Sequence, residues 1–193
     1  TSYPENYEWK APGIGELIGA HNAELIFYGR DLIVNTSFYL GPKGTAGRIS
    51  NGMNCQNCHM EGGTKFWANN FSAVAAIYPK YRERSGNIEN VYRRVNDCFL
   101  RSLNAPHGLD TNSREMQAIV AYMNWLGESV PKHVKPIGAG INELKFLDRP
   151  ADPEKGKIIY QNNCSRCHGA NGEGVFNIDS SMYTYPRLWG LNS

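Results

Sequence analysis

The 193-residue sequence has no apolar run approaching the roughly eighteen residues that a membrane-crossing helix needs. Its start, Thr1-Ser2-Tyr3-Pro4-Glu5, lacks the basic residues and hydrophobic stretch of a secretory leader. An excess of one charge sign is also missing. Twenty basic and eighteen acidic residues give a formal net charge of +2, so global charge implies no nucleic-acid partner. Cysteine is scarce, with five in all, and four of the five fall in two short strings. These are Cys55-Gln56-Asn57-Cys58-His59 and Cys164-Ser165-Arg166-Cys167-His168.

Two cysteines separated by two residues can each form a thioether to one vinyl group of a haem, and the histidine that follows then binds the iron. A single zinc held by the four cysteines would usually bring the pairs within about 15–20 residues and would not call for a histidine after each. A thioredoxin-like redox pair would want one string beside a βαβ pattern, and no strand-rich segment flanks either copy. Both alternatives are disfavoured. The strings therefore predict two covalently bound haem c groups, attached through Cys55, Cys58, Cys164 and Cys167, with His59 and His168 as proximal iron ligands. Such attachment is completed outside the bacterial cytoplasm, so the missing leader predicts a processed, periplasmic protein.

The expected fold is all-α, with two cytochrome c-like domains joined by a Pro/Gly-rich linker. Residues 1–128 form the first domain, 129–153 the linker and 154–193 the second domain. Small domains of this kind can be short because the haem supplies much of the apolar core. Within the first, residues 22–36 place Leu25, Tyr28, Leu32 and Asn35 at helical spacing, with Gly29 a candidate for close helix approach. Residues 89–103 predict an amphipathic helix with Ile88, Tyr92, Val95 and Phe99 on one side. Asn112 or Ser113 is placed to cap a helix over 114–126 that buries Ile119, Tyr122, Met123 and Leu126. Core packing accounts for all these stripes. Asp152-Pro153-Glu154 predicts a helix start with proline in its first turn. Only 25 residues follow His168, with no helical period, so the second domain is expected to lack its C-terminal part.

The fifth cysteine, Cys98, is a candidate for the distal ligand of the first haem. Methionine is the common choice, and Met116 and Met123 compete with it; a buried structural thiol is the bland alternative. Arg94, Cys98 and Ser102 are spaced i, i+4, i+8 and so form one strip along a helix. Arg101 lies near, and Lys80, Arg82 and Arg84 just upstream. Such cations are expected to lower a thiol pKa and to attract a small dianion, although some of them will serve haem propionates.

The stretches 50–59 (SNGMNCQNCH), 78–86 (YPKYRERSG) and 94–102 (RVNDCFLRS) resemble the dihaem thiosulfate dehydrogenase family, whose members oxidise thiosulfate to tetrathionate and in some cases run the reverse. The resemblance covers most of the chain, from about residue 22 to 189. It implies His/Cys ligation of the catalytic haem at His59 and Cys98, and active-site roles for Arg84, Arg94, Ser102 and Gln117. Electrons would leave through the second haem to a carrier cytochrome. Two departures stand out. The loop Asn104-Ala105-Pro106-His107 replaces an expected glycine and basic residue. The family's distal ligand to the second haem, Met or Lys, lies beyond a segment like Leu188-Trp189-Gly190, and Met182 is too near His168 to reach over a haem. The rival readings are a non-catalytic electron-transfer cytochrome, an enzyme joining thiosulfate to a partner's cysteine, and, less favoured, a dihaem peroxidase.

Overall fold

The computed structural model describes residues 7–19, 21–176 and 183–190. Met182 and the last three residues lie outside them. The chain divides into two compact units, Thr1–Glu143 and Leu144–Ser193.

The first unit is built around two helices, α1 (Ala23–Val34) and α6 (Arg114–Leu126). Between them come α2 (Thr36–Leu40), α3 (Met60–Gly63) and α4 (Val74–Ile77). A hairpin of β1 (Lys80–Arg82) and β2 (Asn87–Glu89) then leads into α5 (Val91–Arg101). Two helix caps are present as hydrogen bonds, that of Ser113 as expected from the sequence. Asn90 accepts from the Arg93 amide at 2.9 Å and Ser113 from the Met116 amide at 3.2 Å, each satisfying one of the orphan donors of a helix start.

The buried stripe of α6 includes Ile119, Tyr122, Met123 and Leu126, as expected, and adds Met116, Ala118 and Val120. That of α1 is Ile26, Gly29, Leu32 and Ile33; Leu25 and Tyr28 are only partly covered and Asn35 is exposed. The face is centred on Gly29 because that is where α1 meets α6. A Cβ on Gly29 would stand 2.6 Å from the Ala118 carbonyl carbon and 2.9 Å from Tyr122 Cβ. The glycine is what permits the contact.

Ile88 departs from its expected place on the α5 stripe. It lies in β2, opposite Tyr81, and is exposed, while its neighbour Glu89 is buried. Alternation along a strand, not helical period, decides which of the two points inward. Val95 and Phe99 are the buried residues of α5.

The Pro/Gly-rich segment expected as a linker is partly core. Val130, Val134 and Ala139 are buried. The His133 amide donates to the Ala76 carbonyl at 2.9 Å, and the amides of Trp67 and Asn69 donate to the Gly138 and Gly140 carbonyls at 2.8 Å each. Without helical period this segment still finds backbone partners in a facing loop, which a periodicity argument does not detect. Residues 141–150 are all exposed, and the first unit passes into the second at Glu143–Leu144.

The second unit holds α7 (Pro153–Asn163), α8 (Ser165–His168) and a hairpin of β3 (Val175–Phe176) with β4 (Tyr183–Tyr185). Asp152 caps α7 by accepting from the Lys155 amide at 3.1 Å, with Pro153 in the first turn. Among its described residues no large apolar side chain is buried; Ile158, Ile159, Phe176, Leu188 and Trp189 are all exposed. Among the described residues, the regular structure apart from the two small hairpins is helical.

Candidate functional site

One cavity in the first unit gathers most of the predicted site. Cys55 and Cys58 enter from a short 3₁₀ turn over Cys55–Asn57, and His59 follows at the start of α3. Arg94, Cys98 and Ser102 enter together from α5 and its C-cap, as their i, i+4, i+8 spacing predicts. Apolar lining comes from Ile33, Phe71, Val74, Val95, Phe99 and Ile119.

His59 is oriented for ligation. Its Nδ1 is 2.6 Å from the Asn69 carbonyl, and its ring lies 4.5 Å from that of Phe71 at an interplanar angle of 30°. A carbonyl at Nδ1 fixes the tautomer and leaves Nε2 for a metal. Burial, opposed by that hydrogen bond and aided by Arg94, lowers the His59 pKa and favours the neutral ring that coordination requires. Asn69 is held in turn by Gly140, and Asn70 donates to the Gly138 carbonyl at 2.8 Å. The brace of His59 thus rests on the Pro/Gly-rich segment that follows α6.

Cys55 is positioned by Thr36, a fully buried residue that sequence reasoning did not single out. The Thr36 hydroxyl accepts from the Cys55 amide at 2.9 Å, lies 3.2 Å from its sulfur, and donates to the Leu32 carbonyl at 2.7 Å. One hydroxyl therefore ties the end of α1 to the first cysteine.

Cys98 differs from expectation in one respect. Burial pushes its thiol pKa up; Arg94 is the leading opposing influence and does not overcome it. The surrounding cations alone therefore do not make this thiol a thiolate. Of its competitors, Met123 lines the cavity, whereas Met116 is fully buried in the helix core and does not.

Two residues implied by the resemblance are placed elsewhere. Arg84 is exposed in the turn between β1 and β2, and Arg82 lines the cavity. Gln117 donates to the Thr111 carbonyl at 2.6 Å and is 3.5 Å from the Tyr92 hydroxyl, on a surface groove with Asn22 and Trp125. Spacing along α6 could not tell that face from the cavity face. Tyr78 and Arg82, which line the cavity, lie within the 78–86 stretch, and only the packed chain distinguishes them from Arg84.

In the second unit, the His168 Nδ1 is 2.9 Å from the Pro186 carbonyl. The Tyr160 hydroxyl donates to the Gly169 carbonyl at 2.6 Å, tying α7 to the turn after the string. Both units thus repeat one arrangement: two cysteines, a following histidine, and a distant backbone carbonyl at its Nδ1. In the first, the thiols, the free Nε2 and the apolar lining fit a covalently attached haem. In the second, the same donor set sits beside uncovered apolar side chains.

This arrangement defines a c-type cytochrome, whose haem is covalently bound. Residues 45–131 match the family described as SoxA/TsdA, cytochrome c domain, and residues 153–191 match that described as cytochrome c. The first match is to a SoxA/TsdA-type cytochrome c domain and the second to a cytochrome c domain, and over both the chain is similar to thiosulfate dehydrogenases. It is 39% identical over 147 residues to a thiosulfate dehydrogenase of Psychrobacter arcticus, covering 75% of this chain and 43% of that one. To a thiosulfate dehydrogenase of Allochromatium vinosum it is 37% identical over 149 residues, covering 75% and 54%. The solved structure of thiosulfate dehydrogenase (TsdBA) from Marichromatium purpuratum, in its as-isolated form, matches with a TM-score of 0.72 at 26% identity, covering 96% of this chain and 40% of that one. The chain spans about half the length of the curated relatives it matches.

Proposed function

We propose that this chain carries the reaction centre of a dihaem thiosulfate dehydrogenase, joining two thiosulfates into tetrathionate beside a haem ligated by His59 and Cys98. The observation that carries the reading is the placement of Cys98, Arg94 and Ser102 on one helix strip in the cavity that also holds Cys55, Cys58 and His59. An electron-transfer haem needs no thiol at its iron flanked by cations and a hydroxyl.

In the proposed reaction each thiosulfate loses one electron, a sulfur–sulfur bond forms between the two sulfane sulfurs, and no proton is exchanged. The haem, when bound, supplies the path by which the two electrons leave, through the second haem at His168 to a carrier cytochrome. Arg82 and Arg94 bind the sulfonate oxygens and offset the repulsion between two dianions. The Ser102 hydroxyl adds a hydrogen-bond donor, and Cys98 presents its sulfur at the place where the sulfane sulfurs meet. Arg84, on the same hairpin, adds positive potential at longer range, while Gln117 has no part in this scheme. The apolar lining keeps dielectric low and the arginine contacts strong.

Tetrathionate formation from thiosulfate with ferricyanide as acceptor tests the reading. Electron transfer without tetrathionate would favour a carrier cytochrome instead. The intact protein should exceed its 21.6 kDa polypeptide by the mass of two haems. Finding one haem, or zinc in either string, would contradict the dihaem reading.

Arg94→Ala should lower catalytic efficiency by roughly tenfold to a hundredfold, since a charge-assisted hydrogen bond is worth about 1.5–3 kcal/mol. Part of the loss should appear as a raised KM, because the guanidinium binds the ground-state dianion as well. Haem content should hold; a variant that lost its haem would assign Arg94 to propionate pairing. Among the described residues no helix is long and apolar enough to cross a membrane. We place the protein in the periplasm, where covalent haem attachment is completed.

A further inference from the structure

The cavity contains a polar group that the proposed chemistry has not used. Tyr78 closes α4 as its C-cap residue and lines the cavity together with Arg82, Arg94, Cys98 and Ser102. Its ring is half-buried, and its hydroxyl makes no hydrogen bond within the protein among the described residues, unlike those of Tyr7, Tyr28, Tyr92, Tyr122 and Tyr160. A phenol set among two guanidiniums and a thiol, with its donor unspent, is poised for an anion.

We infer that Tyr78 is a substrate-binding residue whose hydroxyl donates a hydrogen bond to an oxygen of the bound sulfur oxyanion, supplying a neutral donor between the charges of Arg82 and Arg94. The inference rests on the proposed thiosulfate chemistry and adds a residue to it. Burial pushes the Tyr78 pKa up despite Arg82 and Arg94, so the phenol keeps the proton it would donate. A neutral donor contributes where a third cation would not. It binds an oxygen directionally without deepening an electrostatic trap, so a product of the same charge can still leave. A haem propionate also offers anionic oxygens to such a donor, and the test separates the two.

The experiment uses the haem-loaded protein and sulfate, an inert oxyanion dianion, as calorimetric probe, with thiosulfate kinetics beside it. Tyr78→Phe removes only the hydroxyl. It should weaken sulfate binding by roughly tenfold, the loss expected for a hydrogen bond to a charged acceptor, and raise the KM for thiosulfate by a similar factor. The low-temperature EPR and the haem reduction potentials should stay as in the parent protein. Tyr81→Phe, an exposed hairpin neighbour outside the cavity, should bind sulfate like the parent. Parental sulfate affinity in Tyr78→Phe, with Arg94→Ala weakened, would overturn the role of Tyr78 and leave the oxyanion site standing. A shifted haem potential with unchanged sulfate affinity would assign the hydroxyl to a propionate and equally overturn it. If neither the parent protein nor Arg94→Ala binds sulfate or turns over thiosulfate, the underlying functional reading fails first.

Discussion

Cys98→Gly should abolish thiosulfate oxidation while leaving haem attached at both strings. Cys55 and His59 are positioned by Thr36, Asn69 and Phe71, none of which lies in α5. The thiol is only part of a cavity wall, so its removal leaves no closed void. The main structural cost is a glycine within α5, about 1 kcal/mol relative to alanine. Against that, the variant loses the sulfur proposed to sit at the iron and at the point of sulfur–sulfur coupling. Low-temperature EPR should show one of the two haem signals replaced and the other unchanged. Near-parental turnover with ferricyanide would reduce Cys98 to a structural thiol and favour Met123 as ligand.

Gly29→Ala should cost far more stability than its size suggests, and the sign is opposite to helix propensity. On a free helix surface the change would stabilise by about 1 kcal/mol. Here the new Cβ meets the Ala118 carbonyl group and Tyr122 Cβ, the former being backbone of α6. Backbone cannot rotate away, so α1 and α6 must separate. Overpacking typically costs about 1–3 kcal/mol and occasionally more, and the upper end is expected where the obstacle is a helix backbone. Against a total stability of about 5–15 kcal/mol, that is a large share. Denaturant midpoints should fall accordingly. The spectrum of the first haem should be perturbed as well, because Ile119 and Met123 of α6 line the cavity. A midpoint at or above the parent's would show that the helices can part cheaply.

The sequence was most legible where chemistry and spacing coincide. Four of five cysteines in two strings, each followed by histidine, fix the type of cofactor before any folding is considered. The strip Arg94, Cys98, Ser102 was equally readable, because a helix of 3.6 residues per turn must put i, i+4 and i+8 on one side. The Ser113 cap, the α6 stripe and the glycine contact at position 29 belong to the same group. Each leaves a local mark in the sequence, a cap residue, a period or a glycine inside a helix, even where its partner is distant.

What failed to be legible depends on partners distant in sequence. Nothing near Asn69 or Pro186 says that its carbonyl will meet a histidine nitrogen. The buried role of residues 129–140 comes from loop-to-loop hydrogen bonds that carry no period. Arg82 and Arg84 share the same local composition, and the turn of the hairpin sends one to the cavity and the other to solvent. Gln117 and Met123 share a helix, and the packing of α1 decides which of them sees the site. The balance at Cys98 is likewise a tertiary matter. Counting arginines predicts a lowered thiol pKa, whereas the depth of burial raises it. The sequence by itself determined the two Cys-x-x-Cys-His strings and the strip of Arg94, Cys98 and Ser102 that lines the cavity. Only the tertiary structure decided which cations, which tyrosine and which carbonyls stand around them, because burial and long-range hydrogen bonding are properties of the packed chain and have no local signature.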